Sequence, residues 1–279
     1  MSGPLRVAFV GRASEVGHAV PASPVDGLQA SFIEHRAGFM PSRVLAHIAE
    51  HAPQVVVVFG VASLPAATVR AIDVPVLAWD VAPDTPPGFG HHPELPFSSS
   101  AYTAGQASRD DYARVIDRPL PVADELFAPP RRAASVPRAL VIGHSSERVE
   151  RMLVDSKHRH ELLHVASGLS GETLRATLAT GEVAINVRDE EGRGFGLRVA
   201  LYLAAGLLLI SERLHPPAGL RAGTDHLEIR TSADLVALLG RVRADPDEFT
   251  AVREAGRRAA EAFRASRVYP QLLAPLVTR

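Results

Sequence analysis

The sequence contains no cysteine. This absence excludes disulfide bonds, thiolate metal ligands and a thiol nucleophile. The sequence also lacks an excess of one charge, because 30 basic and 31 acidic residues give a formal net charge of -1. A dedicated nucleic-acid-binding protein normally carries a clustered basic excess, so we expect no nucleic acid partner. The charge balance still allows a local basic pocket for a phosphate group.

Long apolar runs and a targeting segment are also missing. The most apolar stretch, residues 199–210, is too short to cross a bilayer and is interrupted by Gly206. The first residues lack the basic start, apolar stretch and small-residue cleavage site of a signal peptide. We therefore expect a cytoplasmic protein without a transmembrane segment.

What is present is a large apolar fraction, 46% of 279 residues, which is enough to bury one large core or two compact ones. Apolar runs in the first half predict buried strands at 5–10, 54–60 and 74–80. Helical spacing predicts a helix over 42–51 with Ser42 as its N-cap, and another helix over about 103–115.

The same alternation restarts after a proline-rich linker at 118–137. Predicted strands lie at 138–143, 161–165, 183–187, 207–211 and 226–229. Predicted helices lie at 147–154, 171–179, 197–205, 232–243 and 247–266. This order predicts an α/β protein with two doubly wound, Rossmann-like domains facing a cleft. We place the domains at residues 1–130 and 131–279.

Four segments of the second half carry a family resemblance. Residues 120–130 read LPVADELFAPP, and residues 142–153 read IGHSSERVERML. GFGLR at 194–198 is followed by AAGLLLI at 204–210, and the segments SADL, DPD and AGRR follow in the last helices. In this order they resemble the second domain of GT-B glycosyltransferases, most closely the group that includes spore-coat maturation (CgeB-like) proteins and glycosyl transferases group 1.

The resemblance implies a GT-B architecture and a metal-independent transfer, of hexosyl type, from a nucleotide-diphosphate sugar to an unidentified acceptor. The nucleotide sugar is a substrate, so no cofactor is implied, and a homodimer stays open. Many retaining members carry two glutamates separated by seven residues, and Arg193 and Leu201 stand at those positions here. Two alternatives therefore remain. One is a degenerate protein that binds nucleotide or a partner without turnover, and the other is a sugar-nucleotide epimerase.

The candidate donor site combines two loops at the ends of predicted strands. Small residues before a helix let backbone N–H groups approach an anion, and the helix N-terminus favours phosphate. Flanking arginines could add charge-assisted hydrogen bonds to a diphosphate. The donor-binding candidates are Gly143, His144, Ser145, Ser146, Arg148, Arg193, Gly194, Phe195, Gly196, Leu197 and Arg198. The simpler alternative is a strand-to-helix turn with solvated arginines and an N-cap serine.

The catalytic candidates are two carboxylates and a histidine. Glu190 and Glu191 lie just before the glycine loop and could replace the missing glutamates or bind sugar hydroxyls. His18, in the loop after the first strand, could act as a base towards an acceptor hydroxyl. Less favoured candidates are His91 and His92 for the base, Lys157 for a phosphate, and Glu212 and Arg213 for the edge of the site. The pair Asp110 and Asp111 indicates a solvated helix face, and we expect no metal.

Overall fold

The computed structural model describes residues 3–22, 27–35, 40–60, 64–80, 99–102, 115–132, 136–166, 168–188, 195–215 and 217–277. The chain divides into two compact units. The first comprises Met1–Glu125 together with Phe263–Arg279, and the second comprises Leu126–Ala262. The sequence predicts a second domain that runs to residue 279, whereas the last segment of the chain lies with the first unit.

The first unit contains a parallel sheet. Its strands are β1 (Leu5–Gly11), β2 (Leu28–Glu34), β3 (Val55–Phe59), β4 (Val76–Asp80), β5 (Ser99–Tyr102) and β6 (Val115–Asp117). Their order across the sheet is β2-β1-β3-β4-β5-β6. Every residue of β3 is buried, as its run of valines predicts for a central strand covered on both faces.

Helices cover one face of this sheet. The unit contains α1 (Ala13–Val16), α2 (Pro41–His51) and α3 (Ala66–Arg70). Val44 and Ile48 of α2 join a core with alternate strand residues, including Val10 and Val58. These alternating positions face the helices because successive side chains of a strand point to opposite faces.

The other face is covered by the last helix, α9 (Ala265–Val277). The ring of Tyr269 lies 4.9 Å from that of Phe9 and 6.2 Å from that of Trp79, between ring centroids. The Tyr269 hydroxyl donates a hydrogen bond of 2.7 Å to the carbonyl of Ala19. This buried aromatic contact explains why the last helix belongs to the first unit rather than to the second.

The second unit contains a parallel sheet of five strands: β7 (Ala139–Ile142), β8 (Leu162–Val165), β9 (Val183–Asn186), β10 (Leu208–Glu212) and β11 (Leu227–Ile229). Their order is β11-β10-β9-β7-β8. The helices are α4 (Glu147–Arg159), α5 (Gly171–Ala179), α6 (Val199–Ala204), α7 (Ser232–Ala244) and α8 (Thr250–Ala259). A core of alternate strand residues packs with α4 and α7, while α6 and α8 pack against β10. The two-sheet, doubly wound fold predicted from the sequence is confirmed.

Several local predictions differ from the structure. Ser42 is not the N-cap of α2, because Met40 takes that place and Pro41 begins the helix. The strand β2 has no counterpart in the prediction. The helix predicted over 247–266 is interrupted: α8 ends at Ala259, and a 3-10 turn, Ala260–Phe263, separates it from α9. The helix predicted over 103–115 lies outside the described residues apart from Val115, which begins β6.

Candidate functional site

The carboxyl ends of β10, β9 and β7 lie side by side in the second unit, since these strands are parallel neighbours. Three chain segments leave the sheet at this edge. Residues 143–146 connect β7 to α4, Val187 and Arg188 follow β9, and Glu212 ends β10. Open α/β sheets bind their ligands at such an edge. The donor candidates at 143–148 and 195–198 belong to loops and helix starts that follow these strands.

Glu212 is the centre of a buried cluster at this edge, with a side chain only 7% exposed. Arg148 of α4 donates to both carboxylate oxygens of Glu212, with its Nη1 at 3.1 Å from Oε2. The backbone N–H of Arg188 donates to the same Oε2 at 2.9 Å. Arg148 also donates to the carbonyl of Arg188. Arg148 therefore lies at the predicted site, but much of its guanidinium is used within the protein.

The side chain of Arg188 is the second cation of this cluster. Its Nε lies 3.8 Å from Oε2 of Glu212, and its Nη2 donates to the carbonyl of Arg213 at 2.8 Å. Burial lowers the pKa of the Arg188 guanidinium, the Glu212 carboxylate opposes this shift, and neighbouring Arg148 adds to it. The sequence places Arg188 only within a segment, 188–198, that is predicted to lie along the donor, and gives it no role of its own, because that role depends on residues from two other parts of the chain.

The serines of the first loop are occupied by local contacts. The Ser146 hydroxyl accepts the backbone N–H of Val149 at 3.2 Å and is the N-cap of α4. The Ser145 hydroxyl donates to Glu150. His144 is exposed. The capping role, which the sequence left open as the alternative for Ser146, is therefore present in the structure.

A small polar network of Lys157, Glu150 and His164 holds this loop, including Gly143, in place. Lys157 binds Glu150 with an Nζ to Oε2 distance of 2.6 Å, and the pKa of Glu150 is lowered mainly by this hydrogen bond and then by that from Ser145. His164 of β8 has its Nε2 at 2.9 Å from the Gly143 carbonyl, so this nitrogen carries the hydrogen. Lys157 thus stabilises the loop through Glu150.

Tyr202 and Arg198 bring the glycine loop and the first loop together. Ile142 lies beyond the pairing of β7 with β9, which covers only Ala139 and Leu140. The N–H of Ile142, which this pairing leaves without a β9 partner, donates to the Tyr202 hydroxyl at 2.9 Å. Nη1 of Arg198 lies 3.5 Å from the Ile142 carbonyl. Burial raises the pKa of Tyr202, with a smaller opposing effect from Arg198. The hydroxyl is therefore neutral and completes the strand end.

The described part of the glycine loop approaches the end of β9. Gly196 has φ +87, and a Cβ atom there would lie 2.7 Å from Oδ1 of Asn186, so only glycine fits without strain. Phe195 is 1% exposed and belongs to the core, while Leu197 is half-buried. The predicted residues Glu190, Glu191, Arg193 and Gly194 lie outside the described residues.

Two further positions singled out from the sequence, Leu201 and His18, are not part of these loops. Leu201, at a position where the resemblance implies a glutamate, is 0% exposed in the apolar helix α6. His18 lies in the 3-10 turn Gly17–Ala19 of the first unit, is 4% exposed, and its carbonyl accepts the N–H of Ala123 at 2.8 Å. Its role as a base stays a prediction. His91, His92, Asp110 and Asp111 lie outside the described residues.

The described ranges contain neither a metal-ligand cluster nor a membrane-spanning helix. Among these residues no three His, Asp or Glu side chains come together as metal ligands. No helix in the same ranges is long and apolar enough to cross a membrane.

Comparisons with known proteins bear on the fold. No protein-family description matches the chain, and no curated protein sequence matches it. Many solved structures do match over nearly the full length of both chains. A sucrose-phosphate synthase from Thermosynechococcus elongatus is 12% identical with a TM-score of 0.60, covering 98% of this chain and 99% of that one.

Two further matches were solved with a nucleotide sugar. The Anabaena protein HepE in complex with UDP-glucose is 8% identical, with a TM-score of 0.60 and coverage of 99% and 100%. An alpha-glucosyltransferase in complex with UDP-glucose and DNA containing an abasic site is 7% identical, with a TM-score of 0.62 and the same coverage. At such identities the likeness concerns the fold alone. The chain has the fold of GT-B glycosyltransferases.

Proposed function

We propose that this protein transfers a sugar, of hexosyl type, from a nucleotide-diphosphate donor to an acceptor hydroxyl. The donor diphosphate binds at the carboxyl edge of the second sheet, beside Arg198 and residues 143–146. The shared fold supports the proposal, as do the two similar structures that hold UDP-glucose. In the reaction the bond from the anomeric carbon to the diphosphate oxygen breaks, the acceptor oxygen bonds to that carbon, and a base takes the acceptor proton.

The observation that carries the proposal is the position of Arg198. It precedes α6 directly, and its guanidinium lies 3.5 Å from the carbonyl of Ile142, at the start of the loop to α4. A cation held between two loops at this edge can bind the charge that develops on a departing diphosphate. Arginine then supplies the positive charge, which is why we expect transfer without a metal ion.

Arg148 and Arg198 have different roles in this reaction. Arg148 uses both terminal nitrogens on Glu212 and its Nη1 also on the Arg188 carbonyl, so it adds positive charge and support. Arg198 is the residue that we expect to contact phosphate oxygens. Proton removal from the acceptor is assigned to Glu190, Glu191 or His18, and the cytoplasm is the expected compartment.

A nucleotide panel tests the proposal. Binding of UDP, GDP, dTDP and ADP, alone and as sugar conjugates, is measured by thermal shift and titration calorimetry, followed by donor hydrolysis for any ligand that binds. A ligand that binds only the folded protein raises its unfolding midpoint. We expect one nucleotide to bind, and Arg198→Ala to weaken it about 10- to 100-fold, the equivalent of about 1.5–3 kcal/mol for hydrogen bonds to a charged group.

Arg230→Ala is the matched control, because Arg230 is in the same unit with a side chain 86% exposed and lies beside Glu228 at the surface. This variant should bind as the wild type does. Absence of binding by all four nucleotides at millimolar concentration would contradict the donor site. Binding without hydrolysis or transfer would instead favour a protein that recognises the nucleotide without turnover.

A further inference from the structure

The carboxylate of Glu212 contacts two segments of the chain at once. It lies at the end of β10, is 7% exposed and accepts hydrogen bonds from the Arg148 guanidinium and from the backbone N–H of Arg188. The guanidinium that it holds donates in turn to the carbonyl of Arg188. Both peptide groups of Arg188 are therefore fixed, one by Glu212 directly and the other through Arg148.

The residue before Glu212 acts on the other end of the connection between β9 and α6. The Ser211 hydroxyl donates to the Glu212 carbonyl at 2.6 Å and accepts the side-chain N–H of Asn186 at 2.9 Å. Asn186 in turn lies against Gly196. The end of β10 thus orients both the residue that leaves β9 and the glycine that precedes Arg198 and α6.

The energetics of this arrangement indicate more than a structural role. Taking two guanidiniums and a carboxylate out of water costs several kcal/mol per ion, and well-packed apolar residues often give equal or better stability. Such a cluster is therefore weak evidence for a contribution to stability. The cluster does fix the positions of charged groups beside a binding edge. A charged ligand that has to be bound in one defined geometry requires such fixed positions.

We infer that Glu212 is the positioning residue of this edge: it holds Arg148 and the backbone of Arg188 in fixed positions beside the loops that bind the donor diphosphate. The identity of the ligand as a nucleotide-diphosphate donor rests on the proposed function, whereas the fixing of the Arg188 backbone does not. Glu212 acts through these neighbours and does not itself touch the donor. The same engagement excludes it as the base, since both of its oxygens already accept hydrogen bonds from cationic or backbone donors.

The test uses Glu212→Gln in the full chain, with Glu228→Gln as the matched control. Glu228 stands beside Ser211 on the neighbouring strand β11, is 25% exposed, and contacts Arg230 at the surface. Two quantities are measured well below the unfolding midpoint: hydrogen exchange at the Arg188 amide by NMR, and the Kd for UDP and the other nucleoside diphosphates. Circular dichroism verifies that each variant is folded, so lost stability cannot lower the apparent affinity.

We expect Glu212→Gln to accelerate exchange at Arg188 about tenfold and to weaken nucleotide binding at least about tenfold, while Glu228→Gln changes neither. A variant that unfolds at lower temperature but keeps both the exchange rate and the affinity would overturn the inference, because Glu212 would then be structural only. Accelerated exchange in a protein that binds no nucleotide would retain the positioning of Arg188 and contradict the proposed function.

If Glu212→Gln does not fold, Glu212→Asp takes its place. This variant keeps the charge but withdraws the carboxylate by one methylene, so it should reproduce both effects in weaker form. Unchanged exchange and affinity in a folded Glu212→Asp protein would also overturn the inference.

Discussion

Replacing Tyr202 by phenylalanine removes one hydroxyl from the candidate site and leaves the packing of the ring intact. Tyr202 is 1% exposed, and its hydroxyl is the acceptor of the Ile142 N–H at 2.9 Å. The β9 pairing stops at Leu140, so no strand takes over that N–H in the variant. A buried N–H without an acceptor costs about 1–3 kcal/mol. The midpoint of thermal unfolding should therefore fall by about 3–10 °C.

Tyr269→Phe provides a comparison in which the hydrogen bond has the opposite direction. The Tyr269 hydroxyl is equally buried, but it donates to the carbonyl of Ala19. A carbonyl that loses one donor is tolerated better than an N–H that loses its acceptor. We therefore expect Tyr269→Phe to cost only about 0.5–1.5 kcal/mol, the net value of an ordinary hydrogen bond.

Two optical signals follow the unfolding of these variants. Trp79 is the single tryptophan and lies in β4 with an exposure of 0%, so its fluorescence follows unfolding of the first unit, where Tyr269 lies. Far-UV circular dichroism follows helix and strand content in both units and reports the Tyr202 variant. A cost for Tyr202→Phe that is no larger than that for Tyr269→Phe would refute the reasoning about the orphaned N–H.

Two other substitutions test the site and its surroundings. In chemical denaturation, Gly196→Ala should lower the free energy of unfolding more than Gly219→Ala does. The two glycines have φ +87 and φ +85. Of these two positions, only Gly196 would bring the Cβ against a neighbour, Oδ1 of Asn186 at 2.7 Å. The shared backbone strain is about 1–2 kcal/mol, so equal costs would mean that the Asn186 contact is unimportant. His226 is 2% exposed, and burial lowers its pKa against the opposing effects of Glu228 and Asp225. The unfolded state then binds more protons than the folded state near and below the ordinary histidine pKa of about 6.5, so stability should fall as the pH drops from about 7.5 to 5. His226→Leu should flatten this pH dependence, and an unchanged slope in urea titrations at several pH values would count against the assignment.

The sequence predicts the central strands well because their burial is visible in their composition. Residues 55–59 are four valines and a phenylalanine, and all are buried. The edge strand β2 gives no such signal. Only Leu28 and Ile33 of its seven residues are buried, and polar residues such as Ser31 stand between them. A strand with one neighbour needs few apolar residues, so its sequence does not distinguish it from a loop.

The assignment of the last helix could not be made from local sequence. The hydrogen bond between Tyr269 and Ala19 joins residues 250 positions apart. The apolar residues of α9 indicate a buried face but carry no information about which sheet it covers. That choice depends on contacts such as those of Tyr269 with Phe9 and Trp79, and the proximity of these residues depends on the completed fold.

The site shows the same division between local and long-range signals. Glycine and serine positions follow from the strand-to-helix pattern, and Ser146 and Gly196 have the local geometry that such turns require. The cluster of Arg148, Arg188 and Glu212 comes from a helix, a loop and a strand that are far apart in the sequence, and it has no characteristic spacing. A partial signal existed for Tyr202, since a tyrosine in an otherwise apolar helix needs a partner for its hydroxyl.

The arrangement of charges limits where the chemistry can occur. Leu201 is 0% exposed, so a carboxylate at this position would be a buried, unpaired charge, which is costly. Glu212, a carboxylate that the structure places at this edge, is held by Arg148 and Arg188. Neither position can therefore supply a free base or a nucleophile. If the protein transfers sugar, the edge of the second sheet holds and neutralises the leaving diphosphate. Another residue then has to take the proton of the acceptor. Substitution of Glu190, Glu191 or His18 should therefore lower turnover while nucleotide binding is retained.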